Sequence, residues 1–512
     1  MPEPATTPDR LDGLVRAAAQ TVPHRIALRD KDTQLSYAEL DARISRCAGV
    51  VRDRWQAAGS VVALVAALDP AFAVAYYGIV RGGASVAIVN AHLRGENLAH
   101  VLRLSGARIA IVTPQMRDRI QEARRWIPEL TEVLLTRGGA TGSGIAGPEC
   151  LDDLIAGHPP VEPSPPADAD DIACIQFTSG TTGPAKGVML SHRNLVTNAR
   201  QVAGAHRLDG DAVMLNHLPS FHPMHLNAGV AAMATHVLCA SEDGADAIDE
   251  ANNHGATHFY SLPVRLARLA ADPRLPELRL ATARTILSGG SALAPAAAET
   301  LSAHFGLAVV QGYGLAETSP LTHGDLPEHP TPGSVGPTVE DTECRTVDVD
   351  TRRPLPPGER GEVQVRGPQV MLGYLAGVES PIDSEGWLST GDIGYIGDDG
   401  VLFLVDRLKD VFKCDNWLVS PSEVEAVLAR HHDVADCAVV DVPDPFRGAV
   451  AHAFVVPRSP GTDLGRVLAD TNAELAEFEQ LHGIDAIDAI PRSPNGKILR
   501  RDLRARAQHT PD

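Results

Sequence analysis

The chain has 512 residues, with 45 Lys and Arg against 65 Asp and Glu and a formal net charge of −20. That length exceeds one ordinary hydrophobic core, so two or more domains are expected. The acidic balance argues against a nucleic-acid partner held by phosphate neutralisation. Seven cysteines, at 47, 150, 174, 239, 344, 414 and 437, form no Cys-x-x-Cys pair and suit a reducing compartment better than a disulfide framework.

The chain opens MPEPATTPDR, with acids and prolines where a secretory signal needs a cationic segment and an apolar core. The apolar stretch 61–80 is broken by Asp69-Pro70, which fits a strand followed by a helix and not a membrane span. A cytoplasmic protein is the expectation. Leu40, Ile44, Cys47, Ala48, Val51 and Trp55 recur at helical spacing, predicting a helix over 37–56 with one buried stripe. A strand at 61–67, a helix at 71–81 and a strand at 84–89 follow, the alternation of an α/β protein with mainly parallel strands. Residues 137–171 are rich in Gly, Pro and acids, and read as a surface excursion with a short helix near 151–155.

The apolar run 172–177 leads into TSGTTGPAKG at 178–187, with three glycines, four hydroxyl residues and Lys186. Glycines let backbone N–H groups face a polyanion, hydroxyls donate further hydrogen bonds, and the lysine supplies charge. This is a phosphate cradle, but no Gly-Lys-Ser/Thr follows, so it is not a Walker A loop. Further on come QGYGLAET at 311–318, STGD at 389–392, VDRLKDVFK at 405–413 and PNGKILRR at 494–501. Near Asp406 the chain is expected to pass into a smaller unit, with a helix over 422–430 and strands at 435–442 and 451–456. The arginines of the last segment read as a solvated helix face.

In this order and at these distances the five motifs resemble the adenylate-forming superfamily, in its acyl-CoA synthetase branch, from about Leu35 to Leu503. The resemblance implies an α/β fold. A large N-terminal adenylation domain of several subdomains (1–405) would be joined, through a hinge at Asp406–Lys409, to a small mobile α+β C-terminal domain (406–512). It implies an ATP-dependent acid–thiol ligase that makes an acyl-adenylate and passes the acyl group to CoA.

The resemblance also implies the roles. Thr178, Ser179, Gly180, Thr181, Thr182 and Gly183, with Lys186, would hold the β- and γ-phosphates. Tyr313 would stack on adenine beside Gly314, and Glu317 would be a magnesium ligand, an oxygen donor for a hard cation. Asp392 would accept from both ribose hydroxyls, with Arg407 assisting, and Lys413 would join the nucleotide and CoA contacts. Lys497 would be the main catalytic residue, neutralising the carboxylate and α-phosphate as charge develops. His222, Gly289, Gly290, Gly312 and Leu315 would line the acid pocket. The spacing of His217, His222 and His225 fits no zinc pattern. Peptide-synthetase domains keep an Asp where His222 stands, so an α-amino acid is disfavoured.

Two departures stand out. Ala316 replaces a usual Thr or Ser, removing one hydroxyl contact to the α-phosphate. After Lys413, Cys414–Val419 replaces a glycine-rich turn. Asn416 and Trp417 there narrow the CoA channel unless the loop repacks. The many small residues expected around the pocket, such as Ala228, Gly229, Ala231 and Ala232, imply a bulky or long lipophilic acid, whether fatty, alicyclic or polycyclic from terpene or polyketide metabolism. Aryl acids remain open. The nearest alternative is an adenylating enzyme that hands acyl-AMP to a thiolating partner or carrier protein. Residues 333–362 carry no insertion of the kind acyl-AMP ligases show. A luciferase-like oxygenase and a non-catalytic nucleotide binder are the remaining readings.

Overall fold

A computed structural model describes residues 10–55, 59–136, 150–162, 168–178, 185–415, 417–492 and 498–507. The chain divides into two compact units, Met1–Glu343 with Val365–Leu388, and Cys344–Gln364 with Ser389–Asp512.

The first unit is built on two large sheets. In the eight-stranded sheet the order is Leu321–Gly324, Ala308–Gly314, Thr285–Gly289, His258–Ser261, Val213–His217, Thr235–Leu238, Ile26–Arg29 and Gln34–Ser36. Its six inner strands are parallel and both edge strands antiparallel. In the seven-stranded sheet, Ile172–Phe177, Ser85–Val89, Val61–Val65, Ile109–Val112 and Glu132–Leu135 are parallel. Gly187–Ser191 and Gly373–Tyr374 extend it antiparallel at one edge. The expected α/β class with mainly parallel strands holds, since apolar β-branched runs bury both faces under helices.

Local signals explain the elements. Helix Tyr37–Trp55 buries Leu40, Ile44, Cys47, Ala48 and Val51, the expected stripe. The Asp69-Pro70 break is a helix start. Asp69 accepts a hydrogen bond from Phe72 N, and Pro70 opens helix Pro70–Arg81. Among the described residues no helix is long and apolar enough to cross a membrane. The short helix in the 137–171 excursion is Leu151–Gly157, two residues longer than expected.

The second unit holds a five-stranded sheet and most of a four-stranded one, Glu343–Val347, Gly361–Arg366, Leu388–Ile396 and Leu402–Arg407. The five-stranded sheet runs Trp417–Val419, Phe412–Cys414, Gly448–Pro457 and Val434–Asp444, with Leu481–Ala486 pairing parallel to Gly448–Pro457. The strands expected at 435–442 and 451–456 are the middles of a long hairpin. Pro443 and Asp444, beyond the expected strand end, face Ala449 and Gly448 at its closed end. The helix expected at 422–430 is Pro421–Leu428, capped by Ser420. The expected hinge residues Asp406 and Lys409 lie at the end of Leu402–Arg407 and just beyond it.

Candidate active site

In the first unit the loop expected to cradle phosphate joins the two strands of a hairpin. Strands Ile172–Phe177 and Gly187–Ser191 pair antiparallel, Phe177 facing Gly187. Thr178 N donates to Lys186 O at 3.1 Å, and Lys186 N donates to Thr178 Oγ1 at 3.2 Å. The loop is therefore clasped at both ends. Ser179, Gly180, Thr181, Thr182 and Gly183 fall outside the described residues.

Gly373–Tyr374 pairs with the strand that follows Lys186, Tyr374 opposite Val188. This register sets the Tyr374 ring under the Lys186 ammonium, 4.8 Å from Nζ to the ring centroid. The Tyr374 hydroxyl donates to Glu317 Oε1 at 2.7 Å. Burial first, and then the Glu317 carboxylate, raise the phenol well above its ordinary pKa, so it stays a donor. Lys186, Tyr374 and Glu317 thus form one chain of contacts. Tyr374 belongs to no motif recognised in the sequence. Its only signal is a Gly-Tyr pair after an apolar run, which strand pairing alone connects to the loop.

Tyr313 lies on strand Ala308–Gly314, is 8% exposed and meets the His323 ring at 5.9 Å. Gly314 has no room for a side chain, since a Cβ there would sit 1.8 Å from the Pro320 carbonyl oxygen. Leu315 N donates to that same oxygen at 3.1 Å. The chain then turns into Ala316–Thr318, which carries Glu317 beside Tyr374. A hard cation held through one carboxylate, with phosphate and water supplying the other oxygens, matches this donor set: Glu317 is half-buried and a single donor engages its Oε1.

His222 caps helix Pro223–Ala231, its Nδ1 accepting from Met224 N at 3.2 Å. Desolvation lowers its imidazole to about 4. His217 points to the opposite face of its strand from Asn216 and bonds Ser261 Oγ at 2.9 Å. With His222 and His225 it forms no ligand group among the described residues. Gly289 and Gly312 are register partners at the carboxyl ends of two parallel strands, and Gly290 follows with φ +90°.

The second unit carries the other candidates. Asp392 and Arg407 face each other across Leu388–Ile396 and Leu402–Arg407. Arg407 Nε stands 2.8 Å from Asp392 Oδ1, with the Asp392 side chain 7% exposed and that of Arg407 42%. Gly391 takes φ +70°, a left-handed turn that suits glycine, and its N–H donates to Glu362. Asp406 Oδ2 accepts from Ser420 Oγ and Ser422 N, both at 3.0 Å, which ties the strand end to the next helix. Lys409 is exposed, and Lys413 pairs with Asp350 at 2.5 Å. Asp415 holds φ +51° in the turn that joins Phe412–Cys414 to Trp417–Val419. An Asx residue thereby takes the conformation usual for glycine. Trp417 stands on the strand, 64% exposed, stacked on Phe478 at 5.5 Å. Asn416 and Lys497 lie outside the described residues.

A family model for AMP-binding enzymes matches residues 15–375, and one for their C-terminal domain matches 423–497. The chain belongs to the AMP-binding enzyme family. This AMP-binding enzyme is 33% identical over 492 residues to 4-coumarate–CoA ligase 3 of Oryza sativa subsp. japonica, covering 92% of this chain and 87% of the relative. It is 34% identical over 491 residues to 4-coumarate–CoA ligase 5 of the same plant, covering 92% and 89%. ATP-bound MatB from Rhodopseudomonas palustris shares the fold with a TM-score of 0.88 at 28% identity, covering 98% of this chain and 99% of that one. The AMP-binding enzyme thus sits in the acyl-CoA ligase branch of the adenylate-forming superfamily, the branch of AMP-forming acid–thiol ligases that use ATP and CoA.

Proposed function

We propose that this chain activates a bulky or long lipophilic carboxylic acid as its acyl-adenylate and then transfers the acyl group to CoA. The contact chain Lys186–Tyr374–Glu317 carries the reading. It joins a phosphate-loop cation to a carboxylate suited to a metal–phosphate complex, a pairing that a plain core has no need to build.

A carboxylate is a poor electrophile, and attack on the α-phosphorus of ATP supplies it with AMP as leaving group. The protein's part is positioning and charge neutralisation. Thr178 and Lys186, with the loop 179–183, hold the β- and γ-phosphates. Tyr313 packs against the adenine, and the bare backbone at Gly314 lets the nucleotide approach closely. Glu317 holds magnesium, which supplies charge neutralisation at the phosphates, and Tyr374 orients that carboxylate. Asp392 accepts from the ribose hydroxyls, with Arg407 fixing its carboxylate. His222, Gly289, Gly290, Gly312 and Leu315 line the acid pocket. Lys497 stabilises the charge that develops between carboxylate and α-phosphate.

The second half-reaction needs the small C-terminal part to move about Asp406–Lys409, bringing Lys413 and the hairpin after it to CoA. Trp417 packed on Phe478, outside the turn that Asp415 makes, supports an unimpaired transfer. The test is mass spectrometry of the products from a broad panel of acids with Mg-ATP, with and without CoA. Acyl-CoA forming as fast as pyrophosphate supports the full ligase. Acyl-AMP accumulating in the presence of CoA would leave an adenylating enzyme that needs a thiolating partner or carrier protein.

A further inference from the structure

Strand Leu388–Ile396 carries the STGD segment 389–392, and each residue ahead of Asp392 is tied down from the side away from Arg407. Thr390 Oγ1 donates to Val363 O at 2.7 Å and accepts from Asp392 N at 3.1 Å. Gly391 N donates to Glu362 Oε1 at 3.1 Å. Ser389 Oγ accepts from Gln364 Nε2 at 3.0 Å and from Arg352 Nη2 at 2.7 Å. The segment therefore rests on the neighbouring strand Gly361–Arg366 and on one arginine from outside it.

Arg352 lies in the turn after strand Glu343–Val347 and holds φ +60°, a left-handed conformation that glycine takes freely and arginine at a cost. One guanidinium nitrogen pairs with Glu362 while the other donates to Ser389 Oγ. The Glu362 side chain is 4% exposed, and Arg352 is its one counter-charge among the described residues. A buried carboxylate needs such a partner. Backbone strain persists where the surroundings impose it, and it gathers at functional sites. Here the strained residue sets a planar fork on two anchors at once, a geometry a lysine lacks. One anchor is the first residue of the segment, and the other grips Gly391, whose own φ of +70° turns the chain into Asp392. Arg407 holds the Asp392 carboxylate from the facing strand, and the Arg352–Glu362 pair holds the preceding backbone from the opposite strand.

Resting on the ligase reading above, in which Asp392 accepts from the ribose hydroxyls, we propose that Arg352 is a positioning residue for the nucleotide. Through Glu362 and Ser389 it aims the Asp392 carboxylate at the ribose diol. Two carboxylate oxygens meet two neighbouring hydroxyls only in a narrow range of orientations. A loosened turn therefore loses the sugar contact first and leaves the contacts to base and phosphate in place.

The test is calorimetric binding of AMP and 2′-deoxy-AMP to the full chain. The wild type should favour AMP by about tenfold or more, the scale of one hydrogen bond to a charged group. Arg352→Gly keeps the left-handed turn without strain and removes only the guanidinium. In that variant the preference should fall to about threefold or less, through weaker AMP binding, with 2′-deoxy-AMP affected far less. Glu362→Gln keeps an acceptor for Gly391 N and loses the charge that holds Arg352. It should shrink the preference by a smaller factor, and it carries the comparison if the glycine variant does not fold. A merely structural role would weaken both nucleotides alike. Equal weakening, or a ratio unchanged in both variants, overturns the inference and leaves the ligase reading standing. No preference in the wild type overturns the ribose role of Asp392, and this inference with it. No binding of either nucleotide to the wild type overturns the ligase reading as well.

Discussion

The hydroxyl of Tyr374 donates a 2.7 Å hydrogen bond to Glu317 Oε1 while the ring of the same tyrosine lies 4.8 Å from the Lys186 ammonium. One side chain therefore orients two charged groups from distant parts of the sequence. Tyr374→Phe removes only the bond to Glu317, and Tyr374→Leu removes the ring as well. A hydrogen bond to a charged group is worth about 1.5–3 kcal/mol, so Tyr374→Phe should lower kcat/KM for Mg-ATP by about tenfold to a hundredfold. Titrating magnesium at fixed ATP separates the effects. Tyr374→Phe should shift the magnesium dependence, whereas Tyr374→Leu should also weaken metal-free ATP binding. An unchanged magnesium titration in Tyr374→Phe counts against its role.

Lys497→Ala should abolish acyl-AMP formation and leave ATP binding near the wild-type value. Pyrophosphate release and equilibrium ATP binding measure the two separately, and full adenylation by the variant removes the role assigned to this lysine.

Asp392 is buried and its partner Arg407 half-exposed, so removing the guanidinium strips a desolvated carboxylate of its counter-charge. Arg407→Ala should lower the unfolding free energy by about 1–3 kcal/mol, less than for a fully buried pair because Arg407 is half-exposed. Asp392→Asn, which keeps the shape and loses the charge, should raise the KM for ATP by about tenfold, the scale of one charge-assisted bond. A large stability loss with an unchanged KM would make this pair a structural strut.

Gly314→Ala forces a Cβ to 1.8 Å from the Pro320 carbonyl oxygen. Both atoms are fixed by backbone, so the strand must move. A loss of about 3 kcal/mol or more is expected, seen as a lower urea midpoint.

Several histidines are buried as neutral rings. Burial lowers His192 to about 4, and His206, His236 and His323 to about 3. Their unfolded value is 6.5. Below it the unfolded chain binds more protons than the folded one, so stability falls as pH drops. Stability should be level above about pH 6.5 and decline steadily from there toward pH 4. Urea midpoints at pH 7, 6 and 5 would show the decline.

Periodicity was legible wherever one stripe met one core. The helix at Tyr37–Trp55 and the strand at Ile172–Phe177 follow directly from residue spacing. Motif chemistry likewise singled out Lys186, Glu317, Asp392 and Arg407, which the structure links through Tyr374 and across a strand pair. Tyr374 was not legible, because its meaning comes from pairing with a strand nearly two hundred residues earlier, and no local pattern encodes that partner. At Asp415 composition names bulky residues where a glycine-rich turn is usual; the structure shows the left-handed residue to be an aspartate and puts the indole on the following strand.

The loop between Thr178 and Lys186 returns as a strand and does not launch a helix. The next helix, His192–Ala205, starts a full strand later, and the Ser191–Asn194 capping box occupies its first N–H groups. Among the described residues no helix starts at the end of that loop, unlike the arrangement in which a helix N-terminus grips phosphate. On the ligase reading, a polyphosphate there would be held by the hydroxyl and N–H donors expected of the loop and by Lys186, whose ammonium also lies over the Tyr374 ring. A grip with no helix end behind it would release a diphosphate more readily than one seated on a helix N-terminus.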